Sequence, residues 1–258
     1  MKNILVIGQG EIGKPLGEFI EESGKYKVFK KDIDPLEINE PIEVMHVYIP
    51  FSEKFADIVI GYINQYKPKL TIIGATVKPG TTETIYTKTN SLIVHSPYRG
   101  KHSLLKQEHL KRFVKFIGPT SEEAGKLAKE YFDSLEIPNE ILDNAKTTEF
   151  GKIFSTTYYA MNITFHQEMN RICEKFGIKY NQAVKKFSET FVMDPEYKIS
   201  RPVLTPGYIG KHCLMPNTVM LSEIYDSVFL KEIINSNKKR AEELGIKDEI
   251  KNTSCNSR

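Results

Sequence analysis

The first group of residues that could do chemistry is a glycine-rich turn near the amino terminus. Gly8-Gln9-Gly10-Glu11-Ile12-Gly13 directly follows the apolar run Ile4–Ile7 and opens an amphipathic segment. In such a turn the first glycine permits the tight bend, the second lets a phosphate approach the backbone, and the third lets helix and strand pack closely. Asp32 lies 19 residues after Gly13, where a carboxylate can accept hydrogen bonds from an adenosine ribose. The pattern therefore predicts an adenosine-cofactor site, for either NAD or S-adenosylmethionine, with the ligands Gly8, Gly10, Glu11, Ile12, Gly13, Asp32, Pro50 and Thr76.

Asp32 also bears on which nicotinamide cofactor the site would accept. Its carboxylate would repel the 2′-phosphate of NADP, whereas the neighbouring Lys30 and Lys31 would attract it. Pro50 and Thr76 complete the predicted cofactor-binding set.

The second group lies mainly in the carboxyl-terminal half of the chain. Cys213 follows His212, and such a cysteine can act as a nucleophile when its thiol is ionised or can simply line a pocket. Lys152 is either a solvated surface charge or a group that binds an anion, and Thr156 lies one helical turn further along the same face. The predicted catalytic residues are Lys152, Thr156 and Cys213, and the predicted substrate-binding residues are Tyr98, Lys152, Thr156, His212 and Asn217.

Composition excludes several classes of protein. The 258 residues include 36 basic and 33 acidic side chains, a net charge of +3 without long blocks of one sign, so nucleic acid is not an expected partner. No apolar run approaches the ~20 residues of a membrane helix, and the apolar start is too short for a signal peptide. The three cysteines show no metal-binding spacing and are typical of reduced thiols. We therefore expect a cytoplasmic protein that binds a small molecule and no metal.

The order of predicted elements indicates an α/β fold. Short β-rich runs alternate with amphipathic segments, which is typical of a Rossmann-type, doubly wound parallel sheet. Predicted strands are 2–7, 27–31, 44–49, 70–75, 92–95 and 114–117, and predicted helices are 12–23, 51–66 and 120–135. From residue 139 the pattern changes to helices at 147–176, 180–191 and 218–244, with a loop at 199–210 and a polar, frayed tail from 251. We predict a cofactor-binding domain at 1–138 and a smaller, all-helical substrate and dimerisation domain at 139–258.

Motifs in chain order resemble the UDP-glucose/GDP-mannose dehydrogenase family over roughly residues 1–240. Besides the first βαβ unit, they comprise Ala75–Glu83, Ser96-Pro97, Glu149–Lys152 with Asn162, Gly210-Lys211-His212-Cys213, and Asn235. The resemblance implies NAD-dependent oxidation of an alcohol to an acid through a thioester on the cysteine. It also implies a dimer built on the long helix, where Phe154, Tyr158, Tyr159 and Phe165 are expected at a core or an interface.

The sequence departs from that family at positions that carry its chemistry. Tyr98 stands where the family has a catalytic Glu, Thr156 where it has Asn, and Asn217 where it has Asp, while Lys152 and Cys213 are retained. A tyrosine and an amide cannot replace carboxylates that activate water, so thioester hydrolysis should be impaired. The sequence also shows no counterpart of the family's third domain, so we expect a weaker hold on a nucleotide sugar.

These departures leave two enzymatic hypotheses and a minor, non-catalytic one. The favoured interpretation is an S-adenosylmethionine-dependent methyltransferase acting on a small acidic heteroaromatic ring, since size and fold also resemble a pyridinol C-methyltransferase of [Fe]-hydrogenase cofactor biosynthesis. In that reaction the enzyme mainly positions and deprotonates the substrate, so it needs neither of the two carboxylates that Tyr98 and Asn217 replace. The alternative is an NAD-dependent oxidoreductase, related to the family above, that uses Cys213. A cofactor-sensing module is the third possibility.

Overall fold

The computed structural model describes residues 1–100, 107–192, 202–210 and 212–247. The chain divides into two compact units, Met1–Lys152 and Ile153–Arg258. The polar tail, residues 199–201 of the predicted loop and Lys211 of the cysteine motif lie outside the described residues.

The first unit is built on a seven-stranded sheet with the order β2-β1-β3-β4-β5-β6-β7. Its strands are β1 (Lys2–Ile7), β2 (Tyr26–Lys31), β3 (Ile42–Val47), β4 (Leu70–Ile73), β5 (Ile93–His95), β6 (Lys115–Pro119) and β7 (Asn139–Ile141). The helices of this unit are α1 (Gly13–Glu22), α2 (Phe55–Tyr66), α3 (Thr81–Thr89), α4 (Gln107–Arg112) and α5 (Glu122–Ser134). The predicted Rossmann-type fold is confirmed.

Two features of the sheet were not predicted. β6 pairs antiparallel with β5, whereas the other pairs are parallel. β7 is only three residues long, largely exposed and preceded by Pro138, so it lacks the apolar pattern of a central strand. The sheet therefore extends to Ile141, beyond residue 138.

The core of the first unit lies on both faces of the sheet. Successive residues of β1 alternate between the two faces, so that Ile4 and Val6 pack with α1 and α5 while Leu5 and Ile7 pack with α2. This burial on both faces explains why β1 is apolar from Ile4 to Ile7, and it leaves the strand ends available to a ligand.

The second unit is helical within the described residues. It contains most of α6 (Ala145–Lys175), a π-helix (Asn181–Lys185), α7 (Lys186–Val192), α8 (Leu214–Ile224) and α9 (Val228–Glu243). The single helix predicted at 218–244 is wrong because the chain is extended at Tyr225 and Ser227 starts a new helix, its side chain accepting a hydrogen bond from the backbone N–H of Leu230. No helix among the described residues is long and apolar enough to cross a membrane.

Candidate cofactor and substrate sites

The glycine turn joins β1 to α1 and its three glycines face different surroundings. Gly8 has φ +90°, and a Cβ there would lie 2.7 Å from the carbonyl oxygen of Tyr48. A Cβ on Gly13 would lie 1.9 Å from the carbonyl oxygen of Gly8. A Cβ on Gly10, in contrast, would meet no atom within 4 Å. The protein's own packing thus requires glycine at 8 and 13, whereas the space beside Gly10 is open for a ligand.

The turn lies where the strand order reverses. The chain passes from β1 to β2 on one side and returns to β3 on the other, so the carboxyl ends of β1 and β3 flank the switch point at which doubly wound sheets bind nucleotides. Exposed Pro50 and half-buried Thr76 follow β3 and β4 at the same edge of the sheet. At the turn, Glu11 is exposed and Ile12 is half-buried as the residue preceding α1.

Asp32 follows β2 and its side chain is exposed beside the turn. The backbone N–H of Gln9 lies 3.4 Å from Oδ1 of Asp32. The two neighbouring lysines are turned to other partners: Lys30 Nζ contacts Glu21 Oε2 at 2.6 Å, and Lys31 Nζ donates to the carbonyl oxygens of Asp32 and Asp34. The carboxylate of Asp32 is therefore an exposed charge beside the glycine turn, and the ammonium groups of Lys30 and Lys31 have other partners.

The first turns of α6 hold the segments that follow β4 and β5. The buried carboxylate of Glu149 accepts hydrogen bonds from the N–H of Gly80 at 2.6 Å and from the N–H and hydroxyl of Thr82 at 2.9 and 2.6 Å, at the start of α3. Burial raises the pKa of Glu149, and these donors oppose the rise. One turn further, Lys152 Nζ donates to the carbonyl oxygen of Tyr98 at 2.8 Å. Glu149 belongs to a motif that resembles the dehydrogenase family, but no role was predicted for its side chain.

The turn after β5 carries Tyr98, one of the predicted substrate-binding residues. Its side chain is buried, and burial raises the pKa of its phenol. His95, at the end of β5, lies with Nδ1 2.8 Å from Thr148 Oγ1 and Nε2 3.1 Å from the carbonyl oxygen of Ala75. Burial lowers the pKa of His95 to about 3, so the imidazole is neutral in the folded protein.

Two predicted residues of the second unit contact each other. Asn217 Nδ2 donates to Thr156 Oγ1 at 3.1 Å, and the Thr156 hydroxyl donates to the carbonyl oxygen of Ile153. Both side chains are buried. Cys213 is half-buried immediately before α8, and His212 beside it is exposed. The amide of Asn217 is thus committed to a hydrogen bond and offers no basic group.

The loop that leads to Cys213 is held by two buried amides that sequence reasoning missed. Gln167 Nε2 donates to the carbonyl oxygen of Gly207 at 2.7 Å, and Asn237 exchanges two hydrogen bonds, of 2.8 and 3.0 Å, with the backbone of Ile209. The side chains of Gln167 and Asn237 also contact each other. The only sequence signal was a polar residue at a buried helical position on each of α6 and α9.

Residues 146–239 match the model for the central domain of the UDP-glucose/GDP-mannose dehydrogenase family. UDP-N-acetyl-D-mannosamine dehydrogenase of Methanocaldococcus jannaschii is 28% identical over 267 residues, which cover 83% of this chain and 60% of that protein. That of Methanococcus vannielii is 25% identical over the same shares of the two chains. This chain therefore spans about 60% of the length of these curated relatives.

Solved structures share the fold. UDP-D-ManNAc dehydrogenase of Pyrococcus horikoshii superposes with a TM-score of 0.76 at 20% identity, covering 95% of this chain and 73% of that one. 3-Hydroxyisobutyrate dehydrogenase of Mycobacterium tuberculosis gives a TM-score of 0.68 at 12% identity and covers 96% of both chains. Together with the family match, these likenesses support a UDP-glucose/GDP-mannose dehydrogenase scaffold.

The expectation of S-adenosylmethionine-dependent methyl transfer is wrong, and the likeness to a pyridinol methyltransferase is not shown by these comparisons. The relatives and the solved structures named above are dehydrogenases, which points to NAD as the cofactor. A glycine turn and a ribose-binding carboxylate recognise the adenosine half that both cofactors share, so they could not separate the two hypotheses.

Proposed function

We propose that this chain is an NAD-dependent dehydrogenase that oxidises an alcohol of a sugar nucleotide of the UDP-N-acetyl-D-mannosamine type. The observation that carries the proposal is the open space at Gly10, beside exposed Asp32, at the switch point of the sheet. The names of the curated relatives support the substrate class.

The residues present fit NAD. The backbone at Gly10 leaves room for the pyrophosphate, the start of α1 presents N–H groups to it, and Asp32 can accept hydrogen bonds from the ribose hydroxyls. Because Lys30 and Lys31 are engaged by Glu21 and by backbone carbonyls, neither is positioned to attract a 2′-phosphate. When bound, NAD supplies the ring that accepts a hydride from the substrate.

Asp32→Asn tests this assignment. The amide keeps the shape but presents only one acceptor oxygen and no charge, so we expect the Kd for NADH to rise about tenfold and the preference over NADPH to fall. Calorimetric titration of both nucleotides into the wild type and the variant measures these changes. Asp34→Asn, a nearby exposed carboxylate, is the matched control. Failure of the wild type to bind NADH would overturn the proposal.

The chemistry we propose is a single two-electron step. The substrate alcohol loses a hydride to NAD and a proton to solvent and becomes an aldehyde. Further oxidation to an acid requires a base that activates water. The Asn217 amide, which donates a hydrogen bond to Thr156, and the buried phenol of Tyr98 cannot act as that base near neutral pH. Lys152 and Thr156 are proposed to position the substrate. The Cys213 thiol is proposed to add reversibly to the aldehyde: its sulfur bonds to the carbonyl carbon, the C=O π bond opens and the thiol proton passes to the oxygen, which gives a hemithioacetal with no change of oxidation state.

The product distinguishes this step from full oxidation. With UDP-N-acetyl-D-mannosamine and NAD, we expect one NADH for each sugar converted and an aldehyde that hydroxylamine traps as an oxime. Cys213→Ala should raise the KM for the aldehyde about tenfold in the reverse direction by removing its anchoring sulfur. Two NADH for each sugar, with release of the acid, would contradict the single step.

We further propose that α6 forms a homodimer through its apolar stripe. Four large side chains of α6, and Phe176 directly after it, recur at intervals of four or seven residues and are strongly exposed: Phe154 (54%), Tyr158 (59%), Phe165 (63%), Ile172 (48%) and Phe176 (67%). This spacing is that of a helix–helix seam, and so much exposed apolar surface is costly in water.

Phe165→Glu should convert the dimer into a monomer, because a carboxylate would be buried at the centre of the seam. Light scattering coupled to size-exclusion chromatography measures the mass. Phe187→Glu on α7, where Phe187 is 71% exposed, is the control and should leave the dimer intact. A wild-type monomer at micromolar concentration would exclude the proposal.

A further inference from the structure

An unusual buried cation lies at the ligand edge of the sheet. Lys115 is the first residue of β6 and only 6% exposed. Because β6 runs antiparallel to β5, its amino end lies beside the carboxyl end of β5, where the turn Ser96–Tyr98 begins. The reversed strand thus delivers a lysine to the edge that carries the cofactor turn.

The ammonium group of Lys115 is directed at that turn. Its Nζ donates to the carbonyl oxygen of Ser96 at 2.9 Å and lies 3.3 Å from that of Pro97. Lys152 Nζ from α6 donates to the next carbonyl oxygen, that of Tyr98. Three successive carbonyl oxygens are therefore held by two lysines, and no ion pair joins Lys115 to a carboxylate among the described residues.

We propose that Lys115 is a positioning residue which, in its charged form, fixes the Ser96–Tyr98 turn for substrate binding. The inference that this turn meets substrate rests on the proposed dehydrogenase function. Burying an ammonium group without a carboxylate is costly, so the presence of Lys115 at this buried position is explained if the turn must be held rigidly. Hydrogen bonds from an ammonium group are roughly twice as strong as those from a neutral amine.

The charge on Lys115 should itself depend on pH. Burial lowers the pKa of Lys115 to about 7, and the positive charge of Lys152 lowers it too. The other titratable groups that face it are His46 on β3 and His95 on β5, and burial lowers the pKa of both to about 3. The ring of Phe132 on α5 covers Nζ at 5.7 Å. Above pH 6 these histidines stay neutral, so a change near pH 7 reports Lys115 itself.

Lys115→Met tests the proposal without cofactor or substrate. We expect amide hydrogen exchange in segment 96–100 to be about tenfold faster in the variant than in the wild type at pH 6, and the ratio to approach one at pH 9, where the wild-type amine is neutral. Lys129→Met, at an exposed i,i+4 pair with Asp133, is the control and should change nothing in that segment. Equal exchange in variant and wild type at pH 6 would overturn the proposal.

A functional measurement separates this proposal from the dehydrogenase assignment. At pH 6, Lys115→Met should raise the KM for UDP-N-acetyl-D-mannosamine about tenfold and leave the Kd for NADH within about twofold, because the glycine turn follows a different strand, β1. Lys115→Arg, charged at every pH, should keep at pH 8 the low KM that the wild type shows at pH 6, whereas the KM of the wild type should rise between pH 6 and 8. If the wild type binds no NADH but the difference in amide exchange at pH 6 is observed, the dehydrogenase proposal fails and the positioning role of Lys115 stands.

The wild type alone provides a test if Lys115→Met does not fold. Its amide exchange in segment 96–100, corrected for the intrinsic rate, must then increase between pH 6 and 8; if it does not, the proposal fails.

Discussion

Gly10→Ala should abolish most NADH binding without affecting stability, while Gly13→Ala should destabilise the whole first unit. A Cβ on Gly10 meets no protein atom within 4 Å and would fill the space into which the pyrophosphate must fit. A Cβ on Gly13 would lie 1.9 Å from the Gly8 carbonyl oxygen, so α1 would have to move away from β1. We expect at least a tenfold rise in the NADH Kd for the first variant and a loss of about 3 kcal/mol or more for the second.

Calorimetry and thermal unfolding measure the two effects separately. Gly61→Ala is the matched control, since a Cβ there also meets nothing within 4 Å and Gly61 lies inside α2. That control should bind NADH as the wild type does and melt slightly higher, because alanine favours a helix. If Gly10→Ala bound NADH with unchanged affinity, the open space at Gly10 would not be the phosphate site.

The loss of stability of this protein in acid should be caused largely by two buried histidines. His46 on β3 and His95 on β5 are fully buried, and burial lowers the pKa of each from 6.5 to about 3. Between those values the unfolded chain binds a proton at each histidine and the folded protein does not, so stability is lost as the pH falls from about 6.5 towards 3. The loss is on the order of a few kcal/mol for each histidine.

The double variant His46→Gln/His95→Gln should flatten this dependence. Glutamine retains a donor and an acceptor but does not titrate, so the fall in Tm between pH 7.5 and 4.5 should be smaller than in the wild type by roughly 5–10 °C. His212→Gln removes an exposed imidazole and serves as the control. Glu149 acts in the opposite direction, because its raised pKa lets the folded protein take up a proton first. An unchanged pH slope in the double variant would show that other groups control acid unfolding.

The elements that sequence reasoning located best are those whose burial is dictated by their own residues. β1 was predicted with its observed bounds, and α1 and α5 to within two residues, because their apolar periodicity matches their packing. α3 was missed because its sequence, Thr-Thr-Glu-Thr-Ile-Tyr-Thr-Lys-Thr, is rich in β-branched residues of low helix propensity. Its first turn is stabilised by Glu149, which lies 67 residues from Thr82 in sequence and could not be paired with it from the chain alone.

The predicted site residues also divide into those that a local motif indicates and those that depend on contacts between distant parts of the chain. Those that depend on one local motif are Gly8, Gly10 and Gly13, which lie between β1 and α1, and Asp32, which follows β2 beside that turn; that they bind a cofactor stays a prediction. The prediction of S-adenosylmethionine as the cofactor was wrong because it was based on the absence of two carboxylates that the dehydrogenase family uses. The absence of residues needed for one reaction does not show that the residues needed for another reaction are present. The chain-order resemblance already pointed to a dehydrogenase scaffold.

The amino-acid sequence by itself determined the Rossmann-type fold, the position of the glycine turn and the change to a helical second half, because contiguous residues indicate each of them through their glycine positions and apolar periodicity. Only the tertiary structure decided that β6 runs antiparallel to β5, that Lys115 therefore reaches the Ser96–Tyr98 turn, and that Asn217 is hydrogen-bonded to Thr156. These contacts join residues far apart in the chain. Their partners are chosen by strand direction and by the need to satisfy buried polar groups, and neither is visible in a local pattern.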